Sequence, residues 1–312
     1  MKPLQTRALA LGTATLLATL LATLLAACGG GSSSDAGSQP PLVTASAASN
    51  ARYSETLLIT LVGSNLDQAL TLTSSGCRNF ARSTTAPNIS SATTAYYTCT
   101  VSGATGNLSV TVTGGGLTAA TVPFTVNRPE VTMIVTNGAA VSGTLVIELR
   151  PDLAPQTVDN FLAYVKSGFY NNTAFHRNGR TAAGGDFVVQ GGGYNAPISS
   201  ATRFPLPKPV NAPIPLERAL SHLRYTVGMA RGDINSATSE FFFNVVANTF
   251  LDGDGSAANP GYSAFGTVIT GTTLVDAMSA APCNFSPINF GLNSLDCVPE
   301  PNLRIASAQQ SR

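Results

Sequence analysis

The 312-residue sequence has few charged side chains, only 11% of the total against about a quarter in an average protein. Its net charge of +1 leaves no excess of lysine and arginine, which a nucleic-acid-binding surface needs to displace counterions. The sequence has only two histidines, His176 and His222, which have neither His-x-x-x-His spacing nor a cysteine cluster beside them. These shortages argue against nucleic acid as a partner and against a zinc site.

Two further site motifs are incomplete. Residues 252–255, DGDG, resemble the first half of a calcium loop, but no glutamate stands at the twelfth position. Residues 261–266, GYSAFG, miss the G-x-S-x-G pattern of serine hydrolases by one residue. We therefore expect no metal and no nucleophilic serine.

A long apolar run occurs only at the amino terminus. Lys2 and Arg7 precede an apolar stretch and then small residues, which is the order of an export signal. Residues 25–28, LAAC, resemble the lipobox of bacterial lipoproteins, which implies a signal peptide over 1–27 and acylation of Cys28. The alternative is an uncleaved signal anchor, because the run is nearly long enough to cross a bilayer.

The residue after the cysteine bears on the destination. The residue after Cys28 is Gly29 rather than aspartate. By resemblance to the sorting rule of bacterial lipoproteins, this residue fits an outer-membrane destination. The expected location is therefore the cell envelope, with a lipid anchor in the outer membrane and the protein facing the periplasm. Residues 28–41 are rich in Gly, Ser and Pro and are predicted to form a flexible tether.

A first folded region is predicted over 42–128. Apolar residues recur there with period two, as in Leu57, Ile59 and Leu61, and glycine-rich turns such as 114–116 separate the short strands. This pattern predicts a small immunoglobulin-like β-sandwich. It contains no histidine and no clustered carboxylates, so its role as a spacer, partner-binding module or peptide-docking arm is left open.

The cysteines fit an exported chain. Cys99 is in phase with inward-facing residues and Cys77 is its only local partner, so we predict a disulfide, with two buried free thiols as the alternative. Cys283 and Cys297 lie in the tail 280–312 and are predicted to pair. Together with Cys28, these pairs account for all five cysteines.

A second region begins at 128–130, RPE. Residues 143–149 alternate as a strand, and Pro155 suits the first turn of a helix. Gly168 is placed to end that helix, and a second helix is predicted near Thr272–Met278. The first helix has apolar residues at i, i+3, i+4 and i+7, namely Val158, Phe161, Leu162 and Val165.

Three stretches of this region carry a family resemblance. They are 143–177, which ends in FHR, then 175–193, FHRNGRTAAGGDFVVQGGG, and 238–243, TSEFFF. In order and spacing they resemble a cyclophilin-type peptidyl-prolyl isomerase over roughly Met133–Met278. The resemblance implies a closed antiparallel β-barrel capped by two helices, so the expected fold class is mainly β, a small β-sandwich followed by this barrel over 129–312.

The resemblance also implies a site that needs no cofactor. Arg177 would be the catalytic donor and Gln190 the amide that binds the substrate. His176 precedes the arginine, as is usual for the family, and a structural packing and hydrogen-bonding role is favoured for it over a functional one. The glycine triplet 191–193 would let backbone pass close to the bound ligand. The proline pocket would be formed by Phe187, Val188, Phe242 and Leu251, and the groove around it by Ala230, Arg231, Glu240, Phe250 and Tyr262.

The sequence departs from the family pattern at several positions. An insertion at 180–185 is expected to bulge beside the groove. Val188 replaces a common methionine, and Phe250 stands where many eukaryotic members have tryptophan. Glu240 stands where glutamine is usual, which leaves open a pairing with Arg177 or Arg231.

The favoured function is isomerisation of X–Pro bonds in exported or envelope proteins, with proline-containing polypeptides as substrates. The alternative is a non-catalytic proline-peptide-binding or chaperone module on the cell envelope. An adhesin-like structural protein would rest on the first region alone.

Overall fold

The computed structural model describes residues 39–198, 207–285 and 296–312. Within it, Pro40–Arg312 forms one compact unit. Strand dominates, as the period-two patterns predict. No helix among the described residues is long and apolar enough to cross a membrane.

The first region consists of two antiparallel sheets. Its strands are β1 (Leu42–Ala48), β2 (Thr56–Ser64), β3 (Thr71–Thr73), β4 (Cys77–Arg82), β5 (Thr94–Val101), β6 (Gly106–Thr113) and β7 (Ala120–Val126). One sheet has the order β1-β2-β5-β4 and the other β3-β6-β7. Leu57, Ile59 and Leu61 are fully buried, so the predicted inward face of β2 is confirmed.

The turn and the disulfide predicted in this region are also found. Gly114, Gly115 and Gly116 all have positive φ, which explains glycine at this turn. Cys77 and Cys99 are bonded, with Cα atoms 5.8 Å apart, and join β4 to β5 inside the core. The likeness to immunoglobulin domains and the boundary at 128 stay predictions.

The second region is a closed antiparallel barrel, as the resemblance implies. Its strands are β8 (Glu130–Thr136), β9 (Ser142–Leu149), β10 (Thr173–Arg180), β11 (Asp186–Asn195), β12 (Thr226–Met229), β13 (Phe241–Asn244), β14 (Ala264–Thr270) and β17 (Arg304–Gln310). They close in the order β10-β11-β13-β12-β14-β9-β8-β17. Outside the barrel lie a 3₁₀ turn (Thr249–Asp252) and a small ladder of β15 (Cys283–Phe285) and β16 (Val298–Pro299).

Two helices accompany the barrel, α1 (Pro155–Lys166) and α2 (Thr272–Ser279), close to the predicted bounds. The apolar face of α1 is buried, and Gly168 follows its end with a φ of +70°. Glu217 caps the start of α1, because its carboxylate accepts hydrogen bonds from the N–H of Gln156 and of Thr157 at 3.1 and 2.8 Å.

The carboxy-terminal segment completes the barrel. We expected only a tail beyond Met278, but β17 lies between β8 and β10 and pairs with both. Without it both neighbours would have an open edge. The predicted Cys283–Cys297 disulfide is present in the segment that leads to β17, with Cα atoms 5.5 Å apart.

The two regions pack against each other. One continuous hydrophobic core includes buried residues from both. Ion pairs cross the boundary on the side of α1, where Arg78 lies 2.7 Å from Asp159 and Lys166 lies 3.0 Å from Glu55. Hydrogen bonds also link Arg52 and Tyr53 to Gln310 on β17, so the first region is held on the barrel through both α1 and β17.

Candidate active site

The site lies across three neighbouring barrel strands. Arg177 on β10 is in register with Gln190 on β11, and Gln190 is in register with Phe242 on β13. Adjacent positions of a sheet bring side chains to within contact of one another. The ladder therefore places a cation, an amide and an aromatic ring side by side.

Arg177 is held on two sides of its guanidinium. Its Nη1 donates to Oε1 of Gln190 at 3.1 Å, and its Nε donates to Oδ2 of Asp296 at 2.9 Å. The guanidinium also lies 5.7 Å from the centre of the Phe187 ring, within the range of a cation–π contact. The side chain remains 22% exposed, so a ligand can reach it.

Gln190 links Arg177 to a carboxylate. While its Oε1 accepts from Arg177, its Nε2 donates to Oε2 of Glu240 at 2.7 Å. His176 is buried and its Nε2 lies 3.3 Å from the same oxygen of Glu240. The expected structural role of His176 is thus to hold Glu240.

Glu240 is ionised in this setting. Burial opposes ionisation, but the hydrogen bonds from His176 and Gln190, together with the nearby charge of Arg177, outweigh it and lower the pKa of Glu240. The charge of Arg177 acts through space here. The direct carboxylate partner of Arg177 is Asp296.

The pairing of Glu240 with Arg177 or Arg231 that the sequence left open is not found among the described residues. The reason is geometric, since Gln190 stands between Glu240 and Arg177 and bonds both. Arg231 instead donates to the carbonyl oxygen of Gly261 at 2.9 Å and stacks over the ring of Tyr262 at 4.3 Å.

Beside this polar row lies a separate apolar cluster. Val188, Phe242 and Leu251 form its buried part. Phe187, Ala230 and Tyr262 pack against it as partly buried residues. Phe250 is 63% exposed and stacks on Phe187 with ring centres 5.7 Å apart. The structure thus brings together the residues predicted for the proline pocket.

A polar cavity of about 280 Å³ adjoins the apolar cluster and shares Ala230 with it. Its lining residues are Gln190, Ala230, Arg231, Gly232, Ser236, Thr238 and Glu240. All the predicted groove residues therefore lie either at this cavity or at the edge of the apolar cluster. Ser236 and Thr238 were not predicted.

The glycine triplet serves packing within the protein. A Cβ on Gly192, which has a φ of +98°, would lie 2.6 Å from the carbonyl oxygen of Ser239. A Cβ on Gly193 would lie 2.3 Å from Oε1 of Glu240. The triplet thus allows a close approach to the 239–240 segment and makes room for the Glu240 carboxylate, while its approach to a ligand stays a prediction.

His222 lies behind the pocket. It is fully buried, stacks on Phe242 with ring centres 5.7 Å apart, and its Nδ1 lies 2.9 Å from Oδ1 of Asp252. Burial lowers the pKa of His222, although the hydrogen bond and charge of Asp252 oppose this. Asp252, the first residue of the incomplete calcium loop, is thus bound to protein groups.

The insertion at 180–185 forms the end of the β10–β11 hairpin. The N–H of Thr181 donates to the carbonyl oxygen of Gly185 at 2.9 Å, and Gly184 has a φ of +82°. Arg180 pairs with Asp186 and donates from Nη2 to the carbonyl oxygen of Ser279 at 2.7 Å. These contacts fix the insertion to the end of α2.

The sequence reasoning missed Asp296. It lies beyond the stretch on which the resemblance rested, next to Cys297. The one available signal was a carboxylate adjacent to a cysteine that a disulfide would fix in place.

A closed antiparallel barrel that carries an arginine, an amide and an apolar cluster side by side defines the class of protein by its fold and its site. Comparison with known sequences identifies the class. A sequence model of the cyclophilin type peptidyl-prolyl cis-trans isomerase family matches residues 131–309. The chain belongs to this family, and its reaction class is peptidyl-prolyl cis-trans isomerisation.

Individual relatives are also named peptidyl-prolyl cis-trans isomerases. The chain is 43% identical to peptidyl-prolyl cis-trans isomerase cyp18 of Streptomyces antibioticus over 141 residues, which cover 44% of this chain and 78% of the relative. It is 37% identical to peptidyl-prolyl cis-trans isomerase B of Escherichia coli over 163 residues, which cover 51% of this chain and 92% of the relative. The family match includes β17 and leaves out the first region.

Proposed function

We propose that the chain isomerises X–Pro bonds of exported or envelope polypeptides, with Arg177 stabilising the twisted amide. The observation that carries this proposal is the position of Arg177, a partly exposed cation held by Gln190 next to the apolar cluster of Val188, Phe242 and Leu251. A prolyl ring in that cluster would lie beside the guanidinium.

The chemistry requires no bond to break. Rotation about a peptide bond has a barrier of about 18–20 kcal/mol, because resonance gives the C–N bond partial double-bond character. In the twisted state the prolyl nitrogen regains its lone pair and accepts a hydrogen bond better than in the planar state. A donor that binds this nitrogen more strongly in the transition state lowers the barrier.

Arginine is suited to this role because its guanidinium stays charged and presents donors in a rigid plane. Gln190 supports the arrangement, since one N–H of its amide bonds Glu240 and the other remains to hold the moving carbonyl. The apolar cluster would hold the prolyl ring in place while the acyl group on the prolyl nitrogen rotates.

The test is turnover of a proline-containing peptide by the full chain. We expect Arg177→Ala to lower kcat/KM by roughly two orders of magnitude, comparable to the loss of one charged donor to a transition state. Peptide affinity should fall much less, because Val188, Phe242 and Leu251 still bury the ring. Arg224→Ala, which removes an exposed arginine paired with Asp276, is the matched control and should leave turnover unchanged.

Glu240→Gln separates the isomerase from the non-catalytic alternative. Glu240 bonds Gln190 rather than Arg177, so we expect this substitution to change kcat/KM by less than about tenfold. If the wild type and Glu240→Gln both bind proline peptides without speeding isomerisation, the site is a binding groove and the catalytic proposal fails.

The proposed location is the cell envelope, with Cys28 acylated, 1–27 removed and 28–41 as the tether to the outer membrane. Residues 1–38 lie outside the described residues, so support comes from the sequence order of charge, apolar run and LAAC. The two disulfides add support, because such bonds persist in oxidising compartments. Cys28→Ser should abolish fatty-acid labelling of the protein, and unchanged labelling would contradict the anchor.

The first region is proposed to be an immunoglobulin-like β-sandwich that acts as a spacer or partner-binding module. Its two antiparallel sheets and their shared core support the architecture. Ile89→Asp in the full chain changes an exposed apolar residue of the first region, and unchanged affinity for the same envelope clients would favour the spacer.

A further inference from the structure

The Asp296 carboxylate is completely buried, with 0% of its side chain exposed. Its Oδ2 accepts from Nε of Arg177 at 2.9 Å, and its Oδ1 accepts from the backbone N–H of Arg180 at 2.8 Å. Burial of a carboxylate is costly even when it is paired, and such pairs often add nothing to stability. An advantage other than stability is therefore expected for this residue.

The contact leaves the reactive side of Arg177 accessible. An arginine has five N–H donors, of which Asp296 takes the one on Nε and Gln190 takes one on Nη1. Within the described part of the chain, no hydrogen bond is made by Nη2 of Arg177. A carboxylate that blocked Arg177 would bind its Nη atoms, at the outer end of the guanidinium. Asp296 instead binds Nε, on the side of the guanidinium nearer the backbone.

The disulfide places Asp296 against β10. Cys297 exchanges backbone hydrogen bonds with Asn178, the neighbour of Arg177, at 2.7 and 3.2 Å. Cys297 is bonded to Cys283 on β15. The cross-link and the two backbone bonds thus fix the residue that precedes Cys297 beside the guanidinium.

We propose that Asp296 is a positioning residue for Arg177, and that the Cys283–Cys297 disulfide holds it in place. Asp296 fixes the guanidinium plane through Nε and leaves Nη2 for the prolyl nitrogen. The inference rests on the proposed function of Arg177. Fixing a donor before reaction removes the need to order it in the transition state.

The first test is Asp296→Asn in the full chain, with a proline peptide as substrate. We expect kcat to fall roughly tenfold, as for loss of a residue that orients a reacting group. KM and peptide affinity should stay unchanged, because the apolar cluster is not touched. Asp276→Asn on α2, which removes a carboxylate paired with Arg224, is the control and should retain wild-type kcat. An unchanged kcat, or a loss confined to KM, would overturn the proposal.

A second readout does not depend on activity. In an NMR spectrum, the Nε–H of Arg177 should exchange slowly with solvent, and its assignment follows from its loss in Arg177→Ala. It should exchange fast in Asp296→Asn. Fast exchange in the wild type would contradict the contact even if Asp296→Asn failed to fold. Slow exchange combined with full turnover by Arg177→Ala would instead sink the proposed function and leave the contact established.

The third test concerns the disulfide. Replacing Cys283 and Cys297 by serine should lower kcat about as much as Asp296→Asn, and combining the two changes should cause no further loss, since both act on one contact. Replacing Cys77 and Cys99 by serine removes the other disulfide and should leave kcat of the folded protein unchanged. Additive losses, or equal losses from both cysteine pairs, would refute a role of this disulfide in positioning.

Discussion

The two folded regions differ in what they bury. Among the described residues and apart from tyrosines, the first region has a single buried polar side chain, Ser102. The barrel region has many, namely Thr157, Thr173, His176, Asn178, His222, Thr226, Ser239, Asn244, Asn248, Ser263, Ser279 and Asp296. Burying a polar group costs free energy unless the group is hydrogen-bonded. A region with many buried polar groups is therefore expected to depend on where those groups are placed.

The contrast shows how each region reaches a defined structure. The sheets of the first region rely on aliphatic side chains with period two and on one disulfide. The barrel relies in addition on hydrogen bonds between side chains, such as the row from Asp296 through Arg177 and Gln190 to Glu240. The first arrangement fixes strands against one another, whereas the second also fixes the position of the Arg177 guanidinium.

The largest effect on stability is expected for the disulfide of the first region. Replacing Cys77 and Cys99 by serine should lower the free energy of unfolding by about 3 kcal/mol, the chain-entropy value for a loop of this length. Chemical denaturation followed by circular dichroism measures the loss. A loss near zero would mean that the aliphatic core alone accounts for the stability of these sheets.

A pH-dependent effect is expected for the barrel. The pKa of buried His222 is lowered by desolvation, whereas in an unfolded chain it is about 6.5. Because the pKa of His222 is lower in the folded protein than in the unfolded chain, the unfolded chain binds the proton more readily. The contribution of His222 to stability is therefore fully present above pH 6.5 and falls as the pH drops below 6.5. The pKa of Asp252 is also lowered, because its hydrogen bonds from Ser221 and His222 outweigh the opposing effect of burial, so its contribution is lost only at more acidic pH.

Melting temperatures at pH 7 and pH 5 test this expectation. The wild type should lose stability across that interval, and His222→Gln should lose less, because glutamine does not titrate. Equal losses in the two proteins would assign the acid sensitivity to another group.

The smallest effect is expected at the boundary between the regions. Arg78 is 53% exposed and Asp159 20% exposed in their ion pair, and exposed pairs contribute about 0.2–1 kcal/mol. A double-mutant cycle with Arg78→Ala and Asp159→Ala should give a coupling energy in that range. A coupling well above 1 kcal/mol would mean that this pair, rather than the shared apolar core, holds the two regions together.

Local patterns in the sequence predicted much of the fold. The alternation in β2, the helix after Pro155 and the disulfide between Cys77 and Cys99 each depend on residues close together in the chain, and each is confirmed. The place of β17 in the barrel was not foreseen, because pairing between distant strands leaves only a weak trace in either strand.

The candidate site divides in the same way. Arg177, Gln190 and the apolar cluster lie in stretches with ordered family motifs, and the structure brings them together. Asp296 lies 119 positions from Arg177 in sequence, and no local pattern indicates which cation a distant carboxylate contacts. For the same reason the sequence left the partner of Glu240 open, since Gln190 could be placed between Glu240 and Arg177 only once the strands were in register.

The position of β17 has a consequence for the order in which the protein is made. Of the eight barrel strands it is synthesised last, yet it lies between the first, β8, and the third, β10. Until Arg304–Gln310 has emerged, both neighbours keep an open edge, and β10 carries Arg177. Open strand edges attract other chains. The nascent chain therefore has two open strand edges, one of them on the strand of Arg177, until its last barrel strand has emerged.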